Sequence, residues 1–360
     1  MSSQDILIVG GSGVVGRRIA AELAPAYGGR VVLAGRSLER AGMMAGLVGH
    51  GVRARVIDVD IPHAIDGALE GSAVVVNCID QPHRLLLRAA IDRGLCYTDI
   101  TPHLTQLGRG AAFEEIDASA RASGARLVLG TGIVPGISNV IVRTLANALG
   151  GVDEIETALL LDAADISGPA SFAYFVQELA MSFDVHVDGH DHRRRAFSEP
   201  RIVDFLPPVG PRLSYLFPFS DQVLYPRTLG VRTAITRLAI NPPWLARGLS
   251  LLSATGIVSL LASESVRGLL GRGKRDRPSK EGAPFALRVD VRHGSHSRHA
   301  TLAGRTQADA AALGAAGVAR ALAEGMVQAP GAWMPEQVIA PAPFLARLAA
   351  HGMTVDFPTG

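Results

Sequence analysis

The feature that most constrains the fold is an apolar segment that leads into a glycine-rich turn and then into a helix. The segment DILIV (5–9) is followed by GGSGVVG (10–16) and by the helical pattern of RRIAAELA. Gly11, Gly13 and Gly16 have the G-x-G-x-x-G spacing that dinucleotide-binding folds use. A strand, this turn and a helix in that order predict the first βαβ unit of a nucleotide-binding domain.

Each glycine of this motif has its own structural reason. The first permits a tight turn, the second lets the backbone approach a pyrophosphate, and the third lets the helix pack on the sheet. Free N–H groups at the start of the helix give the phosphates a positive potential. A purely structural glycine turn is the alternative. The predicted cofactor-binding residues of the turn are Gly11, Ser12, Gly13, Val14 and Val15.

The rest of the first 130 residues alternates short β-branched runs with helical patterns, from VVLA (31–34) to ARLVLG (125–130). Such alternation predicts βαβ units and a parallel sheet covered by helices on both faces. The apolar strands agree, because parallel strands are buried on both sides. The predicted fold class is therefore α/β, with a Rossmann doubly wound parallel sheet.

After about residue 154 the pattern changes to hairpin-like segments with turn residues, such as VDGHDH and PPVGPR. This pattern indicates a second domain of the α+β type with a mostly antiparallel sheet. The chain has 360 residues and 48% hydrophobic content, which is enough for two domains with cores of their own.

Composition argues against several kinds of partner. The 35 basic and 33 acidic residues are spread along the chain, so no long basic tract predicts binding to nucleic acid or to an anionic membrane. The two cysteines lie in apolar stretches and the N-terminus lacks a signal-peptide pattern, so we expect a cytoplasmic protein.

Residues 244–270 are apolar but interrupted by charges, and their core (248–263) falls short of the ~20 residues of a membrane span. A packed helix is the ordinary interpretation, and a dimer interface, acyl-binding or membrane-surface face is the alternative.

An arginine stands where many NAD-binding chains have an acid. Arg36 comes twenty residues after Gly16, at the end of the second predicted strand, and Glu39 lies three residues into the next helix. A guanidinium pairs well with phosphate, and the hydroxyl of Ser37 adds a donor. Arg36 and Ser37 therefore predict a 2′-phosphate site and NADP (NADPH) as the cofactor, with a solvated loop arginine as the alternative.

Two further strand ends are expected at the same edge, because ligands of open α/β sheets bind at the carboxyl ends of the strands. Asp58 follows the third strand and could accept a hydrogen bond from the adenine amino group, although an exposed loop acid explains it equally well. The fourth strand should end near the nicotinamide ribose. The predicted cofactor-binding residues at these ends are Asp58, Val59, Cys78, Ile79 and Asp80.

Several motifs together resemble the saccharopine dehydrogenase-like NAD(P)-dependent reductases. They are GGSGVVG, AGRS, VIDVD, VVVNCID, YTDIT, GTGIVPGISN and the late GAWMPEQVIAPAPFLARLAAHGM. The resemblance implies an NADP-binding domain made of residues 1–131 plus about 306–360. It also implies an inserted α+β substrate and dimerisation domain at about 132–305, hence a homodimer.

The resemblance implies a reductase of a small-molecule C=N bond, or a trans-acting enoyl reductase of an acyl or lipid substrate. A non-catalytic NADP-binding regulator is a third hypothesis. At the place where saccharopine reductases have a motif similar to GLDPG, this chain has GIVPG (132–136), so the acid of that motif is missing. The enoyl-reductase branch favours Y-x-D-x-x-G-E, from which YTDITPH (97–103) also departs.

Hydride transfer often needs a proton donor near neutral pH, and YTDITPH offers three candidates. His103 is the preferred acid, Asp99 could orient it or a substrate amine, and Tyr97 could donate from its phenol. A solvent-facing residue at a helix start is the alternative for His103. Nearby, Asp80 and His83 could reach the nicotinamide or cap the following helix.

Two other features of the sequence are candidates for a functional site. Asn139 is expected near the substrate. His186, His190 and His192 could bind zinc, but Asp188 and Gly189 form a natural hairpin turn. We therefore predict no metal site.

Overall fold

The computed structural model describes residues 4–81, 83–100, 111–163, 175, 178–179, 181–255, 285–353 and 355–358. The chain divides into two compact units, and each of the three chain boundaries between them falls within a helix. The first unit comprises Met1–Val140 and Ala308–Leu348, and the second comprises Ile141–Gln307 and Ala349–Gly360.

The first unit is built on a parallel sheet of seven strands in the order β15-β6-β5-β4-β1-β2-β3. The apolar runs form the strands as predicted, and β1 is buried along its whole length. The strand order reverses between β1 and β4, which makes this the switch point where ligands of doubly wound sheets bind. The strands are β1 Asp5–Val9, β2 Val31–Gly35, β3 Arg53–Val56, β4 Ser72–Asn77, β5 Cys96–Asp99, β6 Arg126–Val128 and β15 Gly331–Trp333.

Helices connect these parallel strands, since each crossover needs an element that returns to the same sheet edge. The first two pack against each other, and the third packs against the fourth. This grouping agrees with the predicted doubly wound arrangement. The connecting helices are α1 Val14–Tyr27, α2 Leu38–Val48, α3 Pro62–Leu69, α4 Leu85–Asp92 and α5 Ala111–Ser123, with a 3₁₀ turn at Gly28–Arg30. A sixth helix, α6 Ile137–Leu149, follows β6 and leads into the second unit.

Residues late in the chain complete the first unit. The helix Gln307–Ala323 (α9) is rich in alanine and glycine, and a Cβ on its Gly314 would lie 2.7 Å from the Gly132 carbonyl oxygen. Only glycine permits so close a backbone approach. The strand β15 then adds to the edge of the sheet beside β6. Two short helices follow, α10 Pro335–Val338 and α11 Pro341–Ala350.

The second unit contains a mixed sheet in the order β10-β11-β12-β7-β13-β14-β16, with β8 joined to β12 and β9 to β8. β12 and β7 are parallel, and the other neighbours are antiparallel. The predicted α+β character is confirmed. The strands are β7 Glu154–Asp162, β8 Ser182–Val187, β9 His190–Arg195, β10 Arg201–Asp204, β11 Pro211–Leu216, β12 Thr233–Asn241, β13 Phe285–His293, β14 His296–Gly304 and β16 Val355–Asp356, and the helices are α7 Asp221–Thr228 and α8 Pro243–Thr255.

The turns predicted in this unit are present. Asp188 and Gly189 both have positive φ, at 51° and 82°, and form the two-residue turn between β8 and β9. The closing strand, β16, pairs with Thr301 and Leu302 of this sheet, although its sequence was expected to belong with the nucleotide domain. Among the described helices, none has the length and apolarity that crossing a membrane requires.

Candidate functional site

The glycine-rich turn lies directly on the ends of the first two strands. Gly10 has a φ of 79°, and the N–H groups of Gly10 and Gly11 donate to the Ala34 carbonyl at 2.9 and 3.1 Å. A Cβ on Gly11 would lie 2.6 Å from a Leu33 methyl carbon and 2.9 Å from the Ile8 oxygen. The tight turn therefore has no room for a side chain at Gly11.

The other two glycines of the motif have contrasting surroundings. A Cβ on Gly16 would lie 2.5 Å from the Gly10 oxygen and 2.8 Å from the Gly11 Cα, so a side chain there would push α1 off the turn. A Cβ on Gly13 would meet only the Gly10 oxygen, at 3.1 Å, and Gly13 is exposed. The fold therefore needs Gly16, whereas Gly13 keeps an open backbone surface on the outside of the turn.

The start of α1 supplies hydrogen-bond donors next to this surface. The first N–H groups of a helix have no acceptor within it, and Gly13, the N-cap residue, has no side chain to satisfy them. No acidic residue lies in the first turn of α1, so its positive potential is not offset locally. The turn and the helix start can therefore hold an anionic group, and a pyrophosphate fits the residues present.

The end of β2 lies beside the turn and presents a cation. A Cβ on Gly35 would lie 3.8 Å from Ser12 Oγ, and Arg36 follows immediately as an exposed residue. The Ser37 oxygen accepts a hydrogen bond from Arg40 N–H at 3.2 Å and so caps α2. The Ser37 hydroxyl hydrogen remains available as a donor toward a ligand.

The end of β3 places its acid in a turn. Asp58 Oδ1 accepts a hydrogen bond from Asp60 N–H at 3.1 Å, and its carbonyl accepts one from Ile61 N–H. Asp58 and Val59 are half-buried. One carboxylate oxygen of Asp58 thus serves a local turn, which is the ordinary use of an aspartate there.

The end of β4 contacts the glycine turn. A Cβ on Gly10 would lie 2.6 Å from Ile79 Cγ2 and 3.4 Å from Cys78 Cβ. Asn77 holds this strand end in shape, since its amide nitrogen donates to the Ile79 carbonyl at 2.9 Å and its oxygen accepts from Ile79 N–H. The turn after β1 and the end of β4 therefore form one continuous surface at the switch point.

Burial and, second, the nearby Asp99 carboxylate raise the pKa of the Cys78 thiol to about 12. The thiol therefore stays protonated at neutral pH. Burial, with Asp99 second, also raises the pKa of the Tyr97 phenol well above its usual value, and this phenol hydrogen-bonds to the Asn77 side chain. Tyr97 is only 2% exposed, so its hydroxyl serves the core of the first unit.

Asp99 is a buried carboxylate held by the chain that follows β6. Its Oδ1 accepts a hydrogen bond from Gly130 N–H at 3.0 Å, and its carbonyl accepts from both the N–H and the hydroxyl of Thr131 at 2.8 Å. Thr131 also bonds Thr98 through their hydroxyls at 2.9 Å. The ends of β5 and β6 are thereby locked together, with the Asp99 carboxylate fixed at the carboxyl edge of the sheet.

The structure does not test His103, which lies outside the described residues. Asp80 and His83 are exposed between β4 and α4, and their capping of α4 stays a prediction. The side-chain oxygen of Gln81 caps this helix, since it accepts a hydrogen bond from Leu86 N–H at 3.2 Å. Sequence reasoning missed Gln81, because glutamine is an uncommon cap and the bond spans five residues.

Asn139, which we expected near the substrate, has a different use. It is fully buried, its oxygen accepts from Gly136 N–H at 2.7 Å, and its nitrogen donates to Glu336 Oε2 at 2.7 Å. Glu336 is 1% exposed. The expectation was wrong, because both halves of the amide are engaged inside the first unit.

The three histidines of the β8–β9 hairpin do not share a face of the sheet. His192 lies opposite Val185 and His190 opposite Val187, whereas His186 lies opposite Asp191 and bonds its carboxylate at 2.8 Å. Paired residues point to the same side of an antiparallel pair. Across the described part of the chain, no three His, Cys, Asp or Glu side chains are grouped so as to hold a metal ion.

Comparison with solved structures identifies the fold. Saccharopine dehydrogenase (L-Glu forming) from Saccharomyces cerevisiae matches 99% of this chain and 100% of its own, with a TM-score of 0.69 and 15% identity. This chain has the saccharopine dehydrogenase fold. The resemblance found in the sequence motifs is thus confirmed at the level of the fold.

Two other structures match with lower scores. The diaminopimelate (DAP) dehydrogenase of C. glutamicum in complex with DAP covers 97% of this chain and 99% of its own, at a TM-score of 0.47 and 15% identity. An engineered D-amino acid dehydrogenase bound to NADP+ covers 96% and 98%, at 0.44 and 16%. No protein-family model matches the sequence, and neither does any curated protein. The likeness to the saccharopine dehydrogenase fold is therefore a likeness of structure.

Proposed function

We propose that this protein is an NADPH-dependent oxidoreductase that reduces a C=N bond of a small metabolite. The observation that carries the proposal is the open backbone surface at Gly13, backed by Gly16 and bordered by the start of α1. Such a surface admits a pyrophosphate, which a side chain at Gly13 would obstruct.

The choice of NADPH over NADH is supported by the end of β2. Arg36 is exposed next to the turn, and the first acid after the strand, Glu39, lies within the first turn of α2. A guanidinium there favours a 2′-phosphate, whereas a ribose 2′-hydroxyl is usually held by an acid at the strand end.

When bound, the nicotinamide would supply a hydride to the substrate. The chain's own residues near it are suited to positioning. Cys78 remains a thiol at neutral pH and is therefore a poor nucleophile. The Asp99 carboxylate is held in place by Gly130 N–H and could orient a substrate amine or the imidazole of His103. Proton donation by His103 or Tyr97 remains a prediction, as do the homodimer, the cytoplasmic location and the substrate role of residues 132–305.

Replacing Arg36 by Asp tests the cofactor. We expect NADPH binding to weaken by about 10- to 100-fold, since a hydrogen bond to a charged group contributes ~1.5–3 kcal/mol. NADH binding should change by much less. Dissociation constants for both cofactors would be measured by calorimetric titration. Arg298→Asp, at an exposed arginine of β14, is the matched control. Equal weakening of both cofactors would refute the 2′-phosphate assignment.

Substrate class is tested with mixtures of candidate acceptors and NADPH. Oxidation of NADPH in mixtures of an amine and a 2-oxo acid would support C=N reduction. Saturation of an acyl enone, with no turnover of those mixtures, would favour the enoyl reductase alternative. Tight cofactor binding with neither reaction would instead indicate the non-catalytic regulator.

A further inference from the structure

Helix α8 presents an exposed apolar side in the second unit. Trp244 and Leu251 are each 70% exposed, and they lie seven residues apart, which places them on the same side two turns from each other. Gly248 lies between them on that side. The opposite side is buried, with Ala246 at 1% and Ser253 at 7% exposure. The helix is therefore fixed to the unit by one side and leaves two large apolar side chains in solvent.

The anchoring contacts of α8 fix which side faces outward. Ser253 Oγ donates to the Ala196 carbonyl at 2.5 Å, and Arg195 Nη1 donates to the Ala254 carbonyl at 3.4 Å. The C-terminal end of α8 thus lies beside the end of β9. A mobile side chain can turn away from solvent, but a helix held at this end keeps its outer side outward.

Two cations flank the exposed side. Arg195 reaches the C-terminal end of α8, and Arg247 is an exposed residue of its second turn. Neither has a carboxylate within ion-pairing distance among the residues that the structure describes. By contrast, Arg193 pairs with Asp184, and Arg194 pairs with Glu199. The exposed apolar side of α8 therefore carries positive charge at its border.

We propose that the outer side of α8, formed by Trp244 and Leu251 with Arg195 and Arg247, docks on the surface of an anionic lipid membrane. A Trp and an aliphatic side chain beside cationic residues is the composition of helices that lie in the membrane interface. The guanidinium groups would meet lipid phosphates, and the indole suits the headgroup level. A second copy is disfavoured, because a twofold contact places the same patch on both partners and brings like charges together.

Tryptophan fluorescence of the full chain tests docking directly. The chain has two tryptophans, so Trp333→Phe leaves Trp244 as the sole indole. Vesicles would be phosphatidylcholine alone, or phosphatidylcholine with about 30% phosphatidylglycerol to imitate an anionic leaflet. We expect a blue shift of Trp244 emission and flotation of the protein with anionic vesicles only. Absence of both changes, or equal binding to neutral vesicles, would overturn the proposal.

Substitutions in the Trp333→Phe background identify the surface. Leu251→Gln should weaken vesicle binding at least about tenfold, because its apolar side chain would no longer be transferred out of water on docking. Leu47→Gln is the matched control, since Leu47 is 75% exposed on α2 of the first unit. Arg195→Gln and Arg247→Gln should each weaken binding about fivefold at low salt. Circular dichroism melting curves would show that each variant is folded.

Two further results would contradict the proposal. One is an equal effect of Leu47→Gln and Leu251→Gln on vesicle binding. The other is a blue shift that appears with rising protein concentration without vesicles and is lost in Leu251→Gln, together with a dimer in analytical ultracentrifugation. That second result would assign this side of α8 to contact between copies of the chain.

Discussion

Alanine at Gly13 and alanine at Gly16 should damage different properties of the protein. At Gly13 the backbone has φ −78° and ψ 172°, which L-residues adopt freely, and the new methyl would meet only the Gly10 oxygen, at 3.1 Å. Gly10 would have to move by a few tenths of an ångström. We expect the free energy of unfolding to change by less than about 1 kcal/mol, because the lost flexibility of the unfolded chain offsets the contact.

NADPH binding should nevertheless fall in Gly13→Ala. The methyl would stand on the outer surface of the turn, where a pyrophosphate would approach the backbone. Forcing one extra methyl into a filled contact costs ~1–3 kcal/mol, which corresponds to a loss of about 10- to 100-fold in affinity. Gly16→Ala should instead lower the unfolding free energy by at least ~1–3 kcal/mol, since its methyl meets backbone atoms at 2.5 and 2.8 Å.

The assay pairs calorimetric titration of NADPH with urea unfolding of the same samples. Gly46→Ala is the control, because Gly46 is exposed in α2 and has no atom within 4 Å of its added Cβ. That variant should bind normally and gain up to ~1 kcal/mol from helix propensity. Wild-type affinity in Gly13→Ala would show that no pyrophosphate lies on this turn and would remove the main support for the proposed function.

Two further predictions concern buried polar groups. Asn139→Leu removes the amide that donates to Glu336 and should lower the unfolding free energy by about 2–3 kcal/mol in urea, whereas Leu47→Gln should have little effect. An unchanged midpoint would mean that the bond contributes nothing. The pKa of the Cys78 thiol is raised to about 12 in the folded chain, so the folded chain holds this proton more tightly than the unfolded chain does. The resulting contribution to the unfolding free energy is fully present below the pKa of the unfolded thiol and is lost as pH rises toward 12. Between pH 9 and 11, wild type should therefore lose stability faster than Cys78→Ala, by at most ~1.4 kcal/mol per pH unit, and parallel curves would contradict the raised pKa.

Much of the fold could be predicted from local pattern. The apolar strands, the glycine turn and the alternation with helices specify βαβ units. The crossover in such a unit is right-handed and joins two parallel strands, so the parallel sheet can be predicted from this pattern. The Asp188–Gly189 turn also specifies the register of its hairpin, and the separation of His186 from His190 and His192 could have been deduced from that register. The pairing of β16 with β14 could not, because two short strands distant in sequence carry no local indication of their partner.

The candidate site was predictable where backbone geometry dictates residue type. The structure tolerates an added Cβ to a different degree at Gly11, Gly13 and Gly16, and the spacing of the three glycines already indicates a different reason for each. The surroundings of Asn139 and Tyr97 were not predictable. Each polar side chain finds its partner through tertiary packing, Asn139 with a residue 197 positions away. A polar residue near a predicted strand end can therefore serve the core as readily as a ligand.

The discontinuous first unit has a consequence for synthesis on the ribosome. β6 receives its outer neighbour, β15, only after residue 331, and Asn139 receives its carboxylate partner only at Glu336. A nascent chain that has emerged only to about residue 305 therefore holds six strands of this sheet with an unpaired edge at β6. Because such an edge can pair with another chain, the second unit must be translated while the first is still open to aggregation. The nascent chain should accordingly need chaperones most while the ribosome is synthesising the second unit, Ile141–Gln307.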